Sequence, residues 1–315
     1  MPTFFHNSKY SSEPNLRLRQ AAAVGDLKEV QELLKSANLK IDDAQTGTNP
    51  KTNQPFSGST ALHQAVKNNH LQIAFKLIAA GWEPRKLNVA KESAYSLAKD
   101  DGFRAQMLML QRITYLYKAL NLHGRFENNN EPLRVLSLAC GLSYEALALE
   151  AIFKDKEVTF TGIDVDESMC TASHGLCQNI PGADIIQQDA TDLEKLKSNT
   201  ENQRFDLVIL RQPDIFNRRA VFEKILVNII PEMIKSDGIL MVSTYHKEEL
   251  SEVNTLLLKN FDNVKKSYAF LDSKDVFIVE NVALTPDKYS LLFTCNKELK
   301  LTIESSLNKV ARFMT

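Results

Sequence analysis

The chain lacks several features that would assign it to a class at once. It has four cysteines in 315 residues, and none forms a Cys-x-x-Cys pair or stands beside histidines at zinc-ligand spacing. No apolar run reaches the roughly 18 residues that a membrane-spanning helix requires. The first residues, MPTFFHNSKYSSEPN, show no secretory leader. We therefore expect a cytoplasmic protein of a reducing compartment, with no bound metal and no membrane segment.

An excess of charge of one sign is also absent. The chain carries 38 basic and 39 acidic residues, which give a formal net charge of −1. Because such a surface has no strong field to attract a polyanion, nucleic acid is not favoured as a partner. The apolar fraction of 43% and the charged fraction of 24% are ordinary for a globular protein, and the length suffices for two domains.

A repeated pattern occupies the first part of the chain. Residues 58–66 read GSTALHQAV, and the SAY of residues 93–95 returns 33 positions after the TAL of residues 60–62. An earlier copy begins at Leu16 and is followed by a longer polar loop. The Gly-x-Thr-Ala-Leu-His string resembles the ankyrin signature. Residues 16–102 therefore resemble about three ankyrin repeats, which implies stacked helix pairs that bind a protein partner or substrate.

Local signals refine this reading. Gly81 follows an apolar helical run, so we predict that it ends a helix in the left-handed conformation. Trp82 has two interpretations, a partner anchor or a residue that packs between repeats. Residues 103–121 carry helical periodicity, and the Gly, Asn and Pro residues of 123–132 mark a boundary. The predicted domains are therefore 1–122, ankyrin-like, and 123–315.

Short apolar runs alternate with helical patterns in the second part. This alternation predicts an α/β doubly wound, Rossmann-like domain with a parallel sheet. The predicted strands are 134–139, 158–164, 184–188, 206–210 and 239–244, and the predicted helices are 144–153, 168–178, 218–235 and 246–260. We expect two antiparallel strands over 274–284 and 289–295, and a final helix over 296–315.

The first predicted strand runs into small residues, Ala139, Cys140, Gly141 and Ser143, before a helix begins. Such a turn lets main-chain N–H groups approach a ligand at a helix N-terminus. The second predicted strand ends at Asp164, 23 residues beyond Gly141. An acid at that place can accept hydrogen bonds from the hydroxyls of a ribose.

The next three strands also end in polar residues. The third is followed by Asp189 and Ala190, where a carboxylate could accept an adenine amino hydrogen or cap the next helix. The fourth is followed by Arg211 and Gln212, and the fifth by Tyr245. These are the positions at which ligands bind in sheets of this kind.

With these residues in place, the segment 125–297 resembles class I S-adenosylmethionine-dependent methyltransferases. The resemblance implies a cofactor-binding set of Ala139, Cys140, Gly141, Ser143, Glu145, Asp164, Asp189 and Ala190. The positions of Arg211, Gln212 and Tyr245 after strand ends predict that they line the pocket for the nucleophile, with a loop that only shapes the edge, or packing for Tyr245, as the alternative. The antiparallel pair after the fifth strand is similar to the hairpin that closes the sheet in this family.

The sequence departs from the family pattern in the loop. Ser137 stands where the family has an acid, and Ala139 and Ser143 stand where it has glycines. We predict that Ser143 is the N-cap of the following helix and that its hydroxyl accepts an orphan N–H. Glu145 is interpreted either as a first-turn acid that complements the helix dipole or as a substitute for the missing acid.

Two functions fit these features. The first is an active methyltransferase whose repeats recruit a protein, with RNA as the less favoured substrate. The second is a non-catalytic module, for cofactor binding or protein interaction, with a degenerate methyltransferase fold. Gln212-Pro213 matches half of the polar-Pro-Pro-aromatic string of nitrogen methylators, and Arg211 suits an acidic substrate. Ankyrin repeats beside such a domain also resemble effectors that intracellular bacteria deliver into host cells, by analogy alone.

Overall fold

The computed structural model describes residues 10–35, 39–41, 43, 47–127, 131–258, 265–270, 277–279, 282–284 and 289–294. Contacts between residues divide the chain into two compact units. The repeat unit comprises Met1–Lys118, Tyr144–Glu157 and Lys274–Pro286, and the sheet unit comprises Ala119–Ser143, Val158–Ser273 and Asp287–Thr315. The chain therefore passes from the sheet unit to the repeat unit directly after Ser143 and returns at Val158.

The repeat unit is built from pairs of helices. The pairs are α1 (Pro14–Val24) with α2 (Leu27–Leu34), α3 (Ala61–Lys67) with α4 (Leu71–Ala80), and α5 (Ala94–Leu97) with α6 (Asp101–Ala119). A short helix, α7 (Leu122–Phe126), lies in the sheet unit, and α8 (Tyr144–Ile152) lies in the repeat unit. The predicted ankyrin-like helix pairs are confirmed.

Two of these helices begin with the same local chemistry, 33 residues apart. The Thr60 hydroxyl accepts a hydrogen bond from the His63 main-chain N–H at 3.4 Å, and the Ser93 hydroxyl accepts one from the Ser96 N–H at 3.0 Å. The Thr60 N–H donates to Nδ1 of His63 at 3.2 Å, and Nε2 lies 3.1 Å from the Glu92 carbonyl oxygen. A neutral imidazole protonated at Nε2 satisfies both bonds and ties the second repeat to the third.

Small side chains let the first helices of successive pairs pack closely. Ala21, Ala22, Ala61, Ala65 and Ala94 are at most 1% exposed, and α3 contacts both α1 and α5. One helix pair cannot bury its apolar face alone, so this stacking forms the core of the repeat unit.

The helix ends follow the predicted turn chemistry. Gly25 and Gly81 end α1 and α4 with φ of +83° and +113°, the left-handed region that glycine enters without a steric penalty. The prediction for Gly81 is confirmed. Trp82 is 3% exposed, so of its two interpretations repeat packing is confirmed and the partner anchor is wrong.

Helix α8 packs against α4 within the repeat unit. Lys76 forms an ion pair with Glu150, and the Phe75 ring lies edge-on to Tyr144, with centroids 6.4 Å apart. Phe75 also contacts Phe103 of α6, at 5.4 Å. The helix that directly follows the predicted ligand loop thus takes part in the packing of the repeat unit.

The sheet unit contains a mixed sheet with the order β3-β2-β1-β4-β5-β9-β6. The first five strands are parallel, and β9 is antiparallel to both β5 and β6. The strands are β1 (Leu133–Leu138), β2 (Val158–Asp164), β3 (Ala183–Gln187), β4 (Phe205–Arg211), β5 (Ile234–Thr244), β6 (Lys265–Phe270) and β9 (Tyr289–Thr294). The predicted doubly wound α/β fold is confirmed.

The end of the sheet differs from the prediction. Within the run 274–284, the described residues form the short hairpin of β7 (Phe277–Val279) and β8 (Val282–Leu284), which the contacts assign to the repeat unit. The antiparallel partners of β9 are β5 and β6, and β6 was not predicted. The predicted final helix over 296–315 lies outside the described residues.

The helices of the sheet unit connect these strands. They are α9 (Glu167–Cys177), α10 (Leu193–Asn199), α11 (Arg219–Lys224), the π-helical turn Ile225–Ile229, α12 (Ile230–Met233) and α13 (Lys247–Leu258). The core lies around the central strands, where Leu136, Val208, Leu210, Leu240 and Val242 are at most 1% exposed. Among the described residues, no helix is both long enough and apolar enough to cross a membrane.

Candidate functional site

The carboxyl ends of the five parallel strands bring polar loops to one edge of the sheet unit. Strand β1 is flanked by β2 on one side and β4 on the other, so the chain reverses its winding direction between β1 and β4. Such a switch point leaves a crevice in which ligands of α/β sheets bind. The predicted residues Gly141, Asp164, Asp189, Gln212 and Tyr245 all follow or end these strands.

The loop after β1 has an unusual backbone. Ala139, Gly141 and Ser143 have φ of +51°, +52° and +47°, so every second residue is left-handed. This region favours glycine, because a Cβ there crowds the following carbonyl oxygen and costs about 1–2 kcal/mol. The loop therefore keeps the backbone of a glycine-rich turn even though two of the three residues carry side chains.

Hydrogen bonds hold the Gly141 peptide on both sides. Its N–H donates to Oδ2 of Asp164 at 2.8 Å, and its carbonyl oxygen accepts from the Ser173 hydroxyl at 2.6 Å. The second oxygen of Asp164, Oδ1, accepts from the Asp166 N–H at 3.0 Å. Asp164 is half-exposed and thus joins the loop after β1 to the loop after β2.

Two glycines near this loop have different roles. A Cβ built on Gly141 would meet no described atom within 4 Å, so that side of the loop is open. A Cβ on Gly162 would lie 3.0 Å from Sγ of Cys140 and 2.8 Å from a side-chain carbon of Ile185, so Gly162 is required for packing. Cys140 is 3% exposed and packs inward, and its N–H donates to the Ile163 carbonyl oxygen at 3.0 Å, so neither its thiol nor its N–H is available to a ligand.

The end of the loop departs from the prediction. Ser143 stands directly before α8, but its hydroxyl is buried and has no hydrogen-bond partner among the described residues, which include the first turn of α8, so the predicted N-cap bond is wrong. The left-handed φ of Ser143 differs from the extended backbone of a normal N-cap, which explains the missing bond. Glu145 is fully buried in the first turn of α8, which belongs by its contacts to the repeat unit, and its role as a substitute for the missing acid stays a prediction.

The loop after β3 carries the predicted adenine acid. Asp189 is exposed, and its Oδ1 accepts from the Thr191 N–H at 2.8 Å. The cap of α10 is a different residue, Asp192, which accepts from the Lys195 N–H. The alternative interpretation of Asp189 as a helix cap is therefore wrong. Ala190 is 8% exposed and packs into the core.

The loops after β4 and β5 meet at Gln212. This residue has φ of +52°, and its N–H donates to the Ser243 carbonyl oxygen at 2.7 Å. The Tyr245 hydroxyl donates to Oε1 of Gln212. The structure thus brings Gln212 and Tyr245 together, as predicted for one pocket, and Arg211 precedes them at the end of β4, half-exposed.

Burial, hydrogen bonds and a neighbouring charge shift the pKa of two groups close to Asp164. Burial, and then the nearby Asp164 carboxylate, raise the pKa of the Cys170 thiol. The Ser168 hydroxyl and the Met169 N–H hold the pKa of Asp166 below its ordinary value at the start of α9. No group of His, Cys, Asp and Glu suited to hold a metal ion exists among the described residues.

Sequence reasoning missed Ser173 and Ser243, which fix the two loops. Ser173 is fully buried in α9 and bonds the carbonyl of Gly141, and Ser243 supplies the carbonyl that bonds Gln212. The available signal for Ser173 was a small polar residue on the apolar face of a helix. The Ser243 contact uses the main chain, so its side-chain identity carried no signal.

The fold and this edge define a methyltransferase-type α/β domain that follows an ankyrin repeat. The methyltransferase domain family model matches residues 129–297, and the ankyrin repeat model matches residues 57–88. Because the first match spans more than half of the chain, the chain belongs to the methyltransferase domain family.

Two curated relatives match part of the chain. The chain is similar to Ankyrin repeat domain-containing protein 40 of Homo sapiens and of Mus musculus, with 34% identity over 95 residues in each case. The match covers 30% of this chain and 23% of each relative, so the chain spans less than a quarter of their length.

The chain is also similar to several solved structures. A precorrin-6y C5,15-methyltransferase from Geobacter metallireducens shares 9% identity over 58% of this chain and 88% of its own, with a TM-score of 0.41. A putative SAM-dependent methyltransferase from Streptococcus mutans shares 13% identity over 60% and 48%, with a TM-score of 0.39. PKMT2 from Rickettsia typhi, solved with AdoHcy, shares 18% sequence identity; the match covers 42% of this chain and 25% of that protein, with a TM-score of 0.33.

Proposed function

We propose that the sheet unit binds S-adenosylmethionine at the carboxyl edge of its parallel strands and transfers the methyl group to a protein that the repeat unit recruits. The observation that carries this proposal is the loop 139–143. Three left-handed residues turn its main chain toward open space, and the Asp164 carboxylate fixes the central peptide. A strained backbone that its surroundings hold in place is typical of a ligand site.

The residues at this edge fit the cofactor. The open side of Gly141 admits close approach of a ligand to the main chain. Each oxygen of the Asp164 carboxylate accepts one N–H and retains a lone pair, so the group can also accept from ribose hydroxyls. Asp189 is exposed at the end of the neighbouring strand, where it would accept an adenine amino hydrogen.

When bound, S-adenosylmethionine supplies a methyl group activated by its positively charged sulfur. The chain must then hold a nucleophile in line with that methyl group and exclude water. Gln212 is suited to orient the nucleophile, because Ser243 fixes its main chain and Tyr245 fixes its carboxamide. Arg211, at the end of the same strand, would attract an acidic substrate.

A second function has its own support. Ser137, fully buried, stands where an acid would hold the amino-acid end of the cofactor, and both oxygens of Asp164 already hold main-chain groups. These features favour a non-catalytic module, in which the edge is kept for binding or for structure alone. Asp164 can therefore contact the ribose of the cofactor or only fix the loop. Comparing the affinity of ligands with and without ribose hydroxyls distinguishes these two roles.

The recruiting role of the repeat unit rests on its stacked helix pairs and on the near-neutral charge, which favours protein over RNA. Deleting residues 1–102 would be an unsuitable test of this role. Helix α4 lies in that range and packs against α8, so the deletion would expose the buried face of α8. Point substitutions in the full chain avoid this damage.

Calorimetric titration of the full chain with S-adenosylhomocysteine tests the cofactor site. We expect binding, and we expect Asp164→Asn to weaken it by about 1.5–3 kcal/mol, the value of charge-assisted hydrogen bonds. The same variant is then titrated with a 2′,3′-dideoxy form of the ligand. If Asp164 contacts the ribose, the penalty shrinks in this double cycle. An equal penalty with both ligands would restrict Asp164 to fixing the loop, and absence of binding to the wild-type chain would overturn the proposal.

A further inference from the structure

Ser143, the last residue of the loop after β1, is held in an unfavourable state. Its φ is +47°, and its hydroxyl is fully buried without a hydrogen-bond partner among the described residues. An extended φ would remove the steric penalty and would let the hydroxyl accept a main-chain N–H of the first turn of α8, as N-cap serines do. Local preference therefore does not explain this conformation, and other parts of the chain must hold it.

On one side of Ser143, the loop is fixed within the sheet unit. The Cys140 N–H donates to the Ile163 carbonyl oxygen at 3.0 Å, and side chains of the sheet unit hold both the N–H and the carbonyl oxygen of Gly141. The Ser143 N–H donates back to the Cys140 carbonyl oxygen at 3.1 Å. These bonds fix the main chain as far as the Ser143 N–H.

On the other side of this residue, the chain enters the repeat unit at once. The first six residues of α8, beginning with Tyr144, are buried, and among the described elements α8 packs mainly on α4. The Tyr144 ring lies edge-on to Phe75 of α4, and Glu150 of α8 forms an ion pair with Lys76 of α4. Both α4 residues are at most 7% exposed, so these contacts fix the direction of α8 within the repeat unit.

The conformation of Ser143 and the packing of α8 are connected by the geometry of the main chain. Changing φ of Ser143 from +47° to an extended value would swing α8 about one main-chain bond and separate it from α4. Each contact between α4 and α8 therefore opposes the relaxation of Ser143. Backbone strain persists only where the surrounding structure determines it in this way.

We infer that Phe75 and Lys76 of α4 are positioning residues for the cofactor loop. By holding α8 they keep Ser143 left-handed, and with it the loop in the form that admits the ligand. The inference rests on the proposed cofactor site and adds regulation to it, because any event that moves α4 would change the loop. The repeat unit thereby gains a role at the cofactor site in addition to the recruitment proposed for it.

Amide hydrogen exchange of the full chain without ligand tests the inference directly. Phe75→Leu removes the ring contact with Tyr144. We expect it to speed exchange of the Gly141 and Ser143 N–H groups by about fivefold or more, since a left-handed residue other than glycine is disfavoured about fivefold to thirtyfold once it is free to relax. Phe103→Leu is the matched control, because the Phe103 ring lies 5.4 Å from that of Phe75 but belongs to α6. It should lower the Tm without changing exchange in the loop.

Ser143→Gly separates positioning from simple packing. Glycine adopts the left-handed region without a penalty and removes the unpaired hydroxyl, so the loop should no longer need α8 to hold it. In this background Phe75→Leu should still lower the Tm by as much as before. Its effect on exchange in the loop should shrink to about twofold or less, because glycine populates both forms almost equally. A purely structural role of Phe75 predicts no such rescue.

Calorimetry with S-adenosylhomocysteine extends the test to the ligand. The affinity of Phe75→Leu should fall by about fivefold or more, because only chains with the competent loop bind. Glu150→Gln, which removes the partner of Lys76, should act in the same direction, and Phe103→Leu should bind like the wild type.

Three results would each overturn the inference. They are equal exchange or equal affinity in Phe75→Leu and the wild type, an equal effect of Phe103→Leu, and an effect that Ser143→Gly does not suppress. If exchange follows the expected pattern but the wild-type chain binds no ligand, the proposed cofactor site fails and the positioning of the loop by α4 stands.

Discussion

The repeat unit and the sheet unit place left-handed backbone under different residues. Directly after helices α1, α3 and α4 of the repeat unit, the left-handed positions are Gly25, Asn69 and Gly81, the residue types that adopt this conformation most readily. The longer turns between helix pairs also hold Ser57 and Lys91 in this conformation. At the edge of the sheet unit the left-handed residues include Ala139, Ser143 and Gln212, which adopt it at a cost. The helix ends of the repeat unit thus follow local turn chemistry, whereas the sheet edge keeps strain that its hydrogen bonds must hold.

This difference separates two kinds of consequence. Strain that persists beside an open crevice indicates ligand binding, so substitutions at the sheet edge should change binding or turnover more than stability. Relaxed turns around a packed stack indicate a structural scaffold, so substitutions among its packed helices should change the free energy of unfolding. Four variants examine this division, in order of decreasing expected effect.

Gly141→Val has the largest expected effect. The new side chain enters the open side of the loop, and a β-branched residue resists φ of +52°. We expect affinity for S-adenosylhomocysteine to fall by more than about a hundredfold, because the side chain would occupy the space proposed for the ligand. Isothermal calorimetry measures this loss directly.

Gly175→Val is the matched control. A Cβ at Gly175 also meets no described atom within 4 Å, but this residue lies in α9 without a left-handed φ. It should bind the ligand like the wild type. If Gly141→Val binds the ligand normally, this loop is not the ligand site, and its strained backbone has no role in binding.

Gln212→Ala tests the edge at the substrate side. Because the carboxamide is held by Tyr245 and is proposed to orient the nucleophile, its removal should lower kcat by about a hundredfold, the cost of a misplaced reacting group. Binding of S-adenosylhomocysteine should change little. Tyr245→Phe frees the carboxamide without removing it and should have a smaller effect in the same direction, measured with radiolabelled methyl transfer in lysate. Full turnover by Gln212→Ala would place the pocket elsewhere.

The sequence sufficed for the features that local chemistry determines. The parallel strands fall within a few residues of their predicted positions, because buried apolar runs between helical patterns have few other solutions. The 33-residue spacing of the repeats is confirmed by the helix N-caps Thr60 and Ser93, which the sequence shows as hydroxyl residues at equivalent positions. Sequence reasoning also placed Asp164, Gln212 and Tyr245 at one edge, since the ends of parallel strands converge there; their roles in binding and catalysis stay predictions.

Features that depend on tertiary packing were missed. The strand Lys265–Phe270 has no clear alternation, and its pairing with β9 is a long-range contact. The helix predicted over 218–235 is interrupted by a π-helical turn just before Pro231, which has no N–H for a normal helical bond. The cap predicted for Ser143 failed because the residue before α8 is left-handed, and residue type does not specify φ.

The Lys76–Glu150 ion pair joins α4 and α8 in the repeat unit, so its loss should change stability. The side chain of Lys76 is 7% exposed and that of Glu150 is 30% exposed. Glu150→Gln takes the carboxylate from a buried ammonium group, so we expect a loss of about 2 kcal/mol, below the range for a fully buried pair. Lys76→Met leaves the more exposed partner and should cost less. Urea unfolding of both single variants and the double variant measures the coupling energy between Lys76 and Glu150. If the two single variants lose equal free energy of unfolding and the losses add in the double variant, the predicted coupling is contradicted.

The smallest effect concerns His70 at the start of α4. Burial, and then the positive charge of Lys51, lower the pKa of His70 below its ordinary value of 6.5, partly opposed by a hydrogen bond with the main chain of Ala23. The folded state therefore binds the proton less well than the unfolded state does. Stability from this group is present above pH 6.5 and is lost as the pH falls through the lower, folded pKa. We expect the Tm to drop between pH 7.5 and pH 5.5 by less in His70→Gln than in the wild type. An identical drop in both chains would show that the pH dependence of the stability comes from groups other than His70.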